Sequence, residues 1–322
     1  MFKLSYTNKS LNNSDPKSLN KSVTKGNPIL ITFSTCWYIV KSKFPIEQYL
    51  EWIHNLFSIV NNFNLVIYTD NDGYNSLKSL IQASDFITKR DKIKFIIKPL
   101  NEFYGYRYKD AWIKNHDSSE LALHKKVDWQ LNMLWCEKIH FVNETIRNKY
   151  FATPFYGWCD IGYFRNLGLN KFSRLTNWPT SLSLIFNFPN KIHYGCVQTD
   201  AEKYNGLRSD INKHYNNNNT NNNCRPPIPK NKIEELCFAG GFFILTKPLA
   251  EIYGRTFDIK LQYYFKNGFT VKDDQQIIMD CISPIRNYSK YIIVATGLCF
   301  RNYYYNIFYI YIDRKSTRLN SS

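Results

Sequence analysis

The sequence predicts an α/β fold, a mostly parallel sheet flanked by helices in a single domain, and three observations carry that prediction. Apolar runs of strand length alternate with stretches whose apolar residues recur at helical spacing, giving a β-α-β-α-β order between residues 29 and 97. One carboxylate, Asp160, directly follows the aromatic run Phe155-Tyr156-Gly157-Trp158, at the kind of strand end where open α/β sheets collect ligands. The 322 residues are 44% hydrophobic and 17% aromatic, enough to bury a large core.

Residues 1–27 are rich in Ser, Asn and Lys and poor in apolar side chains, so they are expected to form a disordered polar arm. The domain is expected over 28–312. Ile29 to Phe33 reads as a buried strand, and Phe44-Pro45 opens a helix carrying Tyr49, Leu50, Ile53, Leu56, Phe57 and Val60 on one face. Leu65 to Tyr68 is the second strand, closed by Thr69-Asp70-Asn71-Asp72-Gly73, and Ile93 to Ile97 is the third. Residues 99–125 lack a clear period and hold many aromatics, which predicts an active-site loop in place of a core element. From Asp128 to Arg147 the apolar stripe Leu131, Leu134, Trp135, Ile139, Val142 and Ile146 predicts one helix, with charges placed as the macrodipole favours.

Further on, the Asn-rich stretch at 215–229 reads as a low-complexity surface insertion without chemistry. Leu236 to Leu245 is a strand interrupted by Gly240-Gly241, Pro248 starts a helix to about Lys266, and Lys272-Asp273-Asp274-Gln275-Gln276 opens a short one. Tyr291 to Val294 is a late strand. Residues 313–322 read as the translation of a sequencing adapter, so the natural chain is expected to continue past Ile312.

The formal charge of +16 does not imply a nucleic-acid partner. The first 27 residues hold +4 and the last ten +2, and the remainder is spread without a Lys/Arg block. With no apolar run of membrane-spanning length, a cytoplasmic protein is expected, peripheral to a membrane at most. The eight cysteines show no C-x-x-C pair and suit buried thiols.

The candidate residues each have two readings. Asp160 suits a divalent cation bridging a diphosphate, or caps a turn before Gly162. Asp70 suits a ribose or base, or closes a plain turn. Gly240 and Gly241 mark a bulge or a close approach by ligand or backbone. Asp273 and Asp274 include a general base for a hydroxyl nucleophile, or cap a helix. Lys138, Arg165 and Lys272 are candidate phosphate partners, or solvated basic side chains.

The strings Trp135-x-x-Lys138, Phe155 to Arg165, Ala239-Gly240-Gly241-Phe242-Phe243 and Lys272-Asp273-Asp274-Gln275 together resemble, in order, the HtrL/YibB-like proteins, associated with lipopolysaccharide gene clusters and similar to GT-A nucleotide-diphospho-sugar transferases. That resemblance implies a GT-A-like fold, a nucleotide-sugar donor, a glycan or other hydroxyl acceptor and a divalent cation, Mn or Mg. It makes Asp160 the metal or diphosphate ligand, sets Gly240 and Gly241 near donor and acceptor, and matches Asp274, with Gln275 behind it, to the acid that faces the acceptor hydroxyl; Asp273 as an alternative base and Asp70, Lys138 and Arg165 toward the donor stand on the residue readings above. The family's Asp-x-Asp is here Asp160-x-Gly162, and no His follows His214 to complete a metal shell. A non-catalytic carbohydrate-binding or glycan-assembly protein on the same fold is the alternative.

Overall fold

A computed structural model describes residues 28–165, 175–179, 182–196, 201–217, 225–233, 236, 238–282 and 292–294. The polar arm and the adapter segment lie outside the described residues. Seven strands form one mixed sheet: β1 (Ile31–Trp37), β2 (Asn64–Thr69), β3 (Ile93–Ile97), β4 (Phe155–Cys159), β5 (Ile192–Cys196), β6 (Phe238–Thr246) and β7 (Ile292–Val294). Their spatial order is β3-β2-β1-β4-β6-β5-β7. All pairs are parallel except β4 with β6 and β5 with β6. The fold is therefore α/β, as the alternating pattern predicts.

Both faces of the sheet are covered, and the strands show it by alternation. Val66, Tyr68, Tyr156, Trp158 and Phe243 join one apolar core, while Leu65, Ile67, Phe155, Cys159, Phe242 and Ile244 join the other. Successive side chains of a strand point to opposite faces, so strands buried on both read as near-continuous apolar runs. Helix α1 (Ile46–Ser58) packs Ile53, Leu56 and Phe57 into the second core. The short helices α2 (Asn71–Ser76), α3 (Lys78–Ile81) and α4 (Ser84–Ile87) link β2 to β3.

Two expectations are corrected here. Residues 99–125 are not a loop over an active site: they contain 3-10 turns and helix α5 (Lys109–Asp117), with Trp112 fully buried and Phe103 nearly so. Their aromatics lack a helical period because several short elements share the burial. The predicted helix 128–147 is two helices, α6 (Trp129–Cys136) and α7 (Lys138–Arg147), broken at Glu137. The Glu137 side chain turns inward and its carboxylate accepts from the Tyr104 and Gly105 N–H groups at 2.7 and 2.8 Å, which pins the 103–105 turn to the junction. Asp128 caps α6 by accepting from Leu131 N–H at 3.0 Å.

Helices α8 (Leu182–Asn187) and α9 (Ala201–Asn217) flank β5, and α10 (Lys247–Lys266) and α11 (Asp274–Ile282) follow β6. Helix α9 runs into the stretch expected to be an inert insertion. Its Tyr215 is half-buried and donates to Asp280 at 2.7 Å, while Asp280 also meets Lys260 at 2.9 Å, so the insertion begins later than 215; residues 218–224 lie outside the described residues. Among the described residues, no helix is long and apolar enough to cross a membrane.

Candidate functional site

The chain runs outward from β1 to β2 and β3, then returns to place β4 on the other side of β1. A ligand crevice forms at such a switch, outside the carboxyl ends of the strands. Asp160 is the residue that follows β4 there. Antiparallel β6 lies alongside, Cys159 facing Phe242, so the beginning of β6 meets the end of β4. Asp160 N–H donates to the Gly241 carbonyl at 2.9 Å and fixes the junction.

Lys138, at the first turn of α7, rises beneath this junction with only 6% of its surface exposed. Its ammonium donates to the Gly240 carbonyl at 2.8 Å and stands 2.9 Å from Asp274 Oδ2 and 3.3 Å from Asp160 Oδ1. Five of the sequence candidates, Asp160, Asp274, Lys138, Gly240 and Gly241, thus form one constellation. The two glycines are required by the carboxylates. An added Cβ would lie 2.5 Å from Asp274 Oδ2 at Gly240 and 2.9 Å from Asp160 Oδ2 at Gly241. Strand β6 runs through both, but its pairing with β5 jumps there, from Tyr194 opposite Phe243 to Gly195 opposite Ala239, so the expected bulge falls at the glycine pair.

The electrostatics follow from burial. Asp274 is nearly inaccessible, and burial, opposed by Lys138 and reinforced by Asp273 and Asp160, raises its carboxyl to about 6. Asp273 is also raised by burial, against the pull of Lys272 and Lys138. Its Oδ1 accepts from Gln275 N–H at 3.1 Å, a capping contact at the start of α11. Burial alone works to strip the proton from Lys138, yet Asp160 and Asp274 outweigh it and hold its pKa above the ordinary lysine value. Cys159, beside Asp160, is fully buried and its thiol is raised by desolvation and by that carboxylate, so it is no nucleophile.

Two candidates stand apart from the constellation. Asp70 caps α2, its Oδ1 accepting from Gly73 N–H at 2.8 Å. The Arg165 guanidinium lies 5.3 Å from the Trp52 ring centroid on the exposed rim. The rim holds a residue that the sequence reading missed, Lys43. Its pKa is lowered by burial first, and Arg165, Lys272 and Lys138 push it the same way against Asp273, so these cations share one field. No sequence signal marks Lys43, because only the return of β4 beside β1 brings the β1–α1 loop to the crevice.

Positioning of the α11 acids comes from side chains that sequence reasoning also missed. Asn115 brackets Val271, donating to its carbonyl at 2.9 Å and accepting from its N–H at 2.7 Å. Asn132 donates to the same carbonyl at 3.0 Å, and the His124 ring meets the Lys272 carbonyl at 3.1 Å. Gln276 accepts from Lys272 N–H at 2.8 Å. A buried Asn on an otherwise apolar helix such as α6 is the signal that was available.

The divalent cation implied by the resemblance does not fit these side chains. Two carboxylates converge, and an ammonium already stands against both. Among the described residues no three His, Cys, Asp or Glu side chains gather to hold a metal ion. The second acid of an Asp-x-Asp motif is replaced by Gly162, where a Cβ would lie 2.8 Å from the Trp52 ring.

No family model matches the chain, the HtrL/YibB-like proteins included, and no curated protein matches it. One solved structure that does match is a galactosyltransferase, LgtC in complex with donor and acceptor sugar analogues. The identity is 8% over 77% of this chain and 69% of that one, with a TM-score of 0.38.

Proposed function

We propose that this protein is a glycosyltransferase of GT-A-like architecture that moves a sugar from a nucleotide-diphospho-sugar to a hydroxyl on a glycan or other acceptor. The observation that carries the reading is the buried carboxylate of Asp274, raised to about 6 and held opposite Asp160 at the switch of the sheet. A carboxylate tuned upward toward neutrality is a competent proton acceptor. In a single displacement the acceptor O–H bond breaks and its proton passes to Asp274. A new C–O bond forms at the anomeric carbon, and the bond from that carbon to the diphosphate oxygen breaks.

The departing nucleoside diphosphate takes the electron pair, and its charge is met by Lys138 with Lys43, Arg165 and Lys272 around it. Asp160 and the Gly240 carbonyl hold the ammonium in place for that encounter. Asp273 supports Asp274 by capping α11, and Asp70, which caps α2 at the end of β2, borders the nucleoside side of the crevice.

The test is release of free nucleotide from a panel of nucleotide-sugars. Turnover is expected in the wild type and at least a hundredfold less in Asp274→Asn and Asp160→Asn. A folded wild-type protein that turns over no member of the panel would move the assignment to a non-catalytic carbohydrate-binding role.

A further inference from the structure

Lys138 is the feature that a metal-based reading of this crevice leaves without a purpose. A lysine on the first turn of a helix is ordinarily exposed, yet here three oxygens surround the ammonium: the Gly240 carbonyl at 2.8 Å, Asp274 Oδ2 at 2.9 Å and Asp160 Oδ1 at 3.3 Å. The Gly240 carbonyl takes a hydrogen bond from the ammonium, and the two carboxylate oxygens pair with it by charge. Asp160 Oδ1 is engaged a second time, by the Trp158 indole N–H at 2.5 Å. The Gly240 backbone lies against the Asp274 carboxylate as well.

We infer that the Lys138 ammonium is the resident cation of this site, and that the protein receives the phosphates of its donor without a divalent metal ion. That the arriving anion is a nucleoside diphosphate rests on the function proposed above; the identity of the cation does not. A hard dication seeks six or more oxygen ligands, mostly carboxylate, phosphate and water. The crevice offers two carboxylates that already share one buried positive charge, and a dication drawn to them would meet the repulsion of that ammonium. Lys138 is buried and hydrogen-bonded to the Gly240 carbonyl of β6, which holds its ammonium between the two acids. Position 162 cannot contribute a further acid without displacing Trp52. The cationic rim of Lys43, Arg165 and Lys272 supplies the positive field that a metal would otherwise bring.

The experiment measures retention of Mn²⁺ by electron paramagnetic resonance for the wild type, Asp160→Asn and Lys138→Ala, each with and without UDP. Retention by the wild type is expected to equal that of Asp160→Asn in both conditions, whereas Lys138→Ala, which frees the carboxylate pair, gains at least tenfold in Mn²⁺ affinity over the wild type. Should Lys138→Ala not fold, the comparison of wild type with Asp160→Asn decides alone. Mn²⁺ retained by the wild type and lost in Asp160→Asn, with or without UDP, overturns the inference. That outcome leaves the transferase assignment standing, and an inactive protein that shows no Asp160-dependent Mn²⁺ leaves the cation assignment standing.

Discussion

A Cβ placed on Gly240 would stand 2.5 Å from Oδ2 of Asp274, so the strand residue and the helix acid exclude each other's atoms. The contact is with a buried carboxylate held by Lys138, which has no flexible end to move aside. Gly240→Ala is therefore expected to behave as an overpacked site, costing about 1–3 kcal/mol. Gly206→Ala is the control. That glycine lies in α9 with nothing near its missing Cβ, and Ala there is expected to stabilise by about 0.5–1 kcal/mol. Urea denaturation of the two variants checks the pair, and equal effects would mean that Gly240 is not shaped by Asp274.

The raised carboxyl of Asp274 has a sign in stability. In the unfolded chain it titrates near 3.8, whereas in the fold it does so at about 6, so the folded state holds the proton more firmly. Stability from this group is full below the unfolded value and is lost as pH rises through about 6. Asn does not titrate. The melting temperature of Asp274→Asn relative to the wild type is thus expected to climb between pH 4 and pH 7, and a flat difference across that window would show that burial is not governing Asp274.

Removing the cation acts the other way. Lys138→Met leaves Asp160 and Asp274 without their common partner, and stripping one member from a buried charge set costs about 3–5 kcal/mol. The loss is expected to be largest above pH 6, where Asp274 is ionised, and to shrink toward pH 4. Thermal melts at the two pH values read it directly.

Most of this architecture was legible in the chain, and the reason is local. Ile93 to Ile97 and the helix from Lys247 to Lys266 announce themselves by apolar period and by Pro248 at the helix start. Asp160 and the glycine pair stand out because each breaks its local pattern, an acid after a buried strand and two glycines within one, whereas Lys138 and Asp274 also read as a solvated base and a helix cap. Long-range pairing was not legible. Nothing near Asp274 in sequence says that Asn115 and Asn132 hold Val271 ahead of it, nor that Glu137 divides a continuous apolar stripe in order to bind the Tyr104 and Gly105 N–H groups. The aromatic side chains of 99–125 have no period, so they look like a loop until their burial is known.

Trp112 decides whether that segment is core. Its ring is fully buried against Phe265, edge to face at 4.7 Å between centroids, and its indole N–H donates to the Gly105 carbonyl at 3.3 Å. Trp112→Ala is expected to cost about 3–5 kcal/mol, as for other large aromatics truncated in a packed interior. A loss below about 1 kcal/mol in urea denaturation would return the segment to a loop.

The rim cations give the last prediction, because exposed and buried charges answer differently to salt. Lys43 and Arg165 lie on the rim, whereas Lys138 is enclosed, so an anion that meets the first two does so through water and mobile ions. The screening length is about 10 Å at 0.1 M salt and about 3 Å at 1 M. The double variant Lys43→Ala/Arg165→Ala is therefore expected to bind inorganic pyrophosphate about tenfold more weakly than the wild type at 0.1 M salt and within twofold of it at 1 M. Isothermal titration in EDTA at both concentrations measures the difference. An equal loss at both would mean that these side chains contact the anion directly in a desolvated pocket, and no loss at either would mean that phosphate does not enter past Lys43 and Arg165.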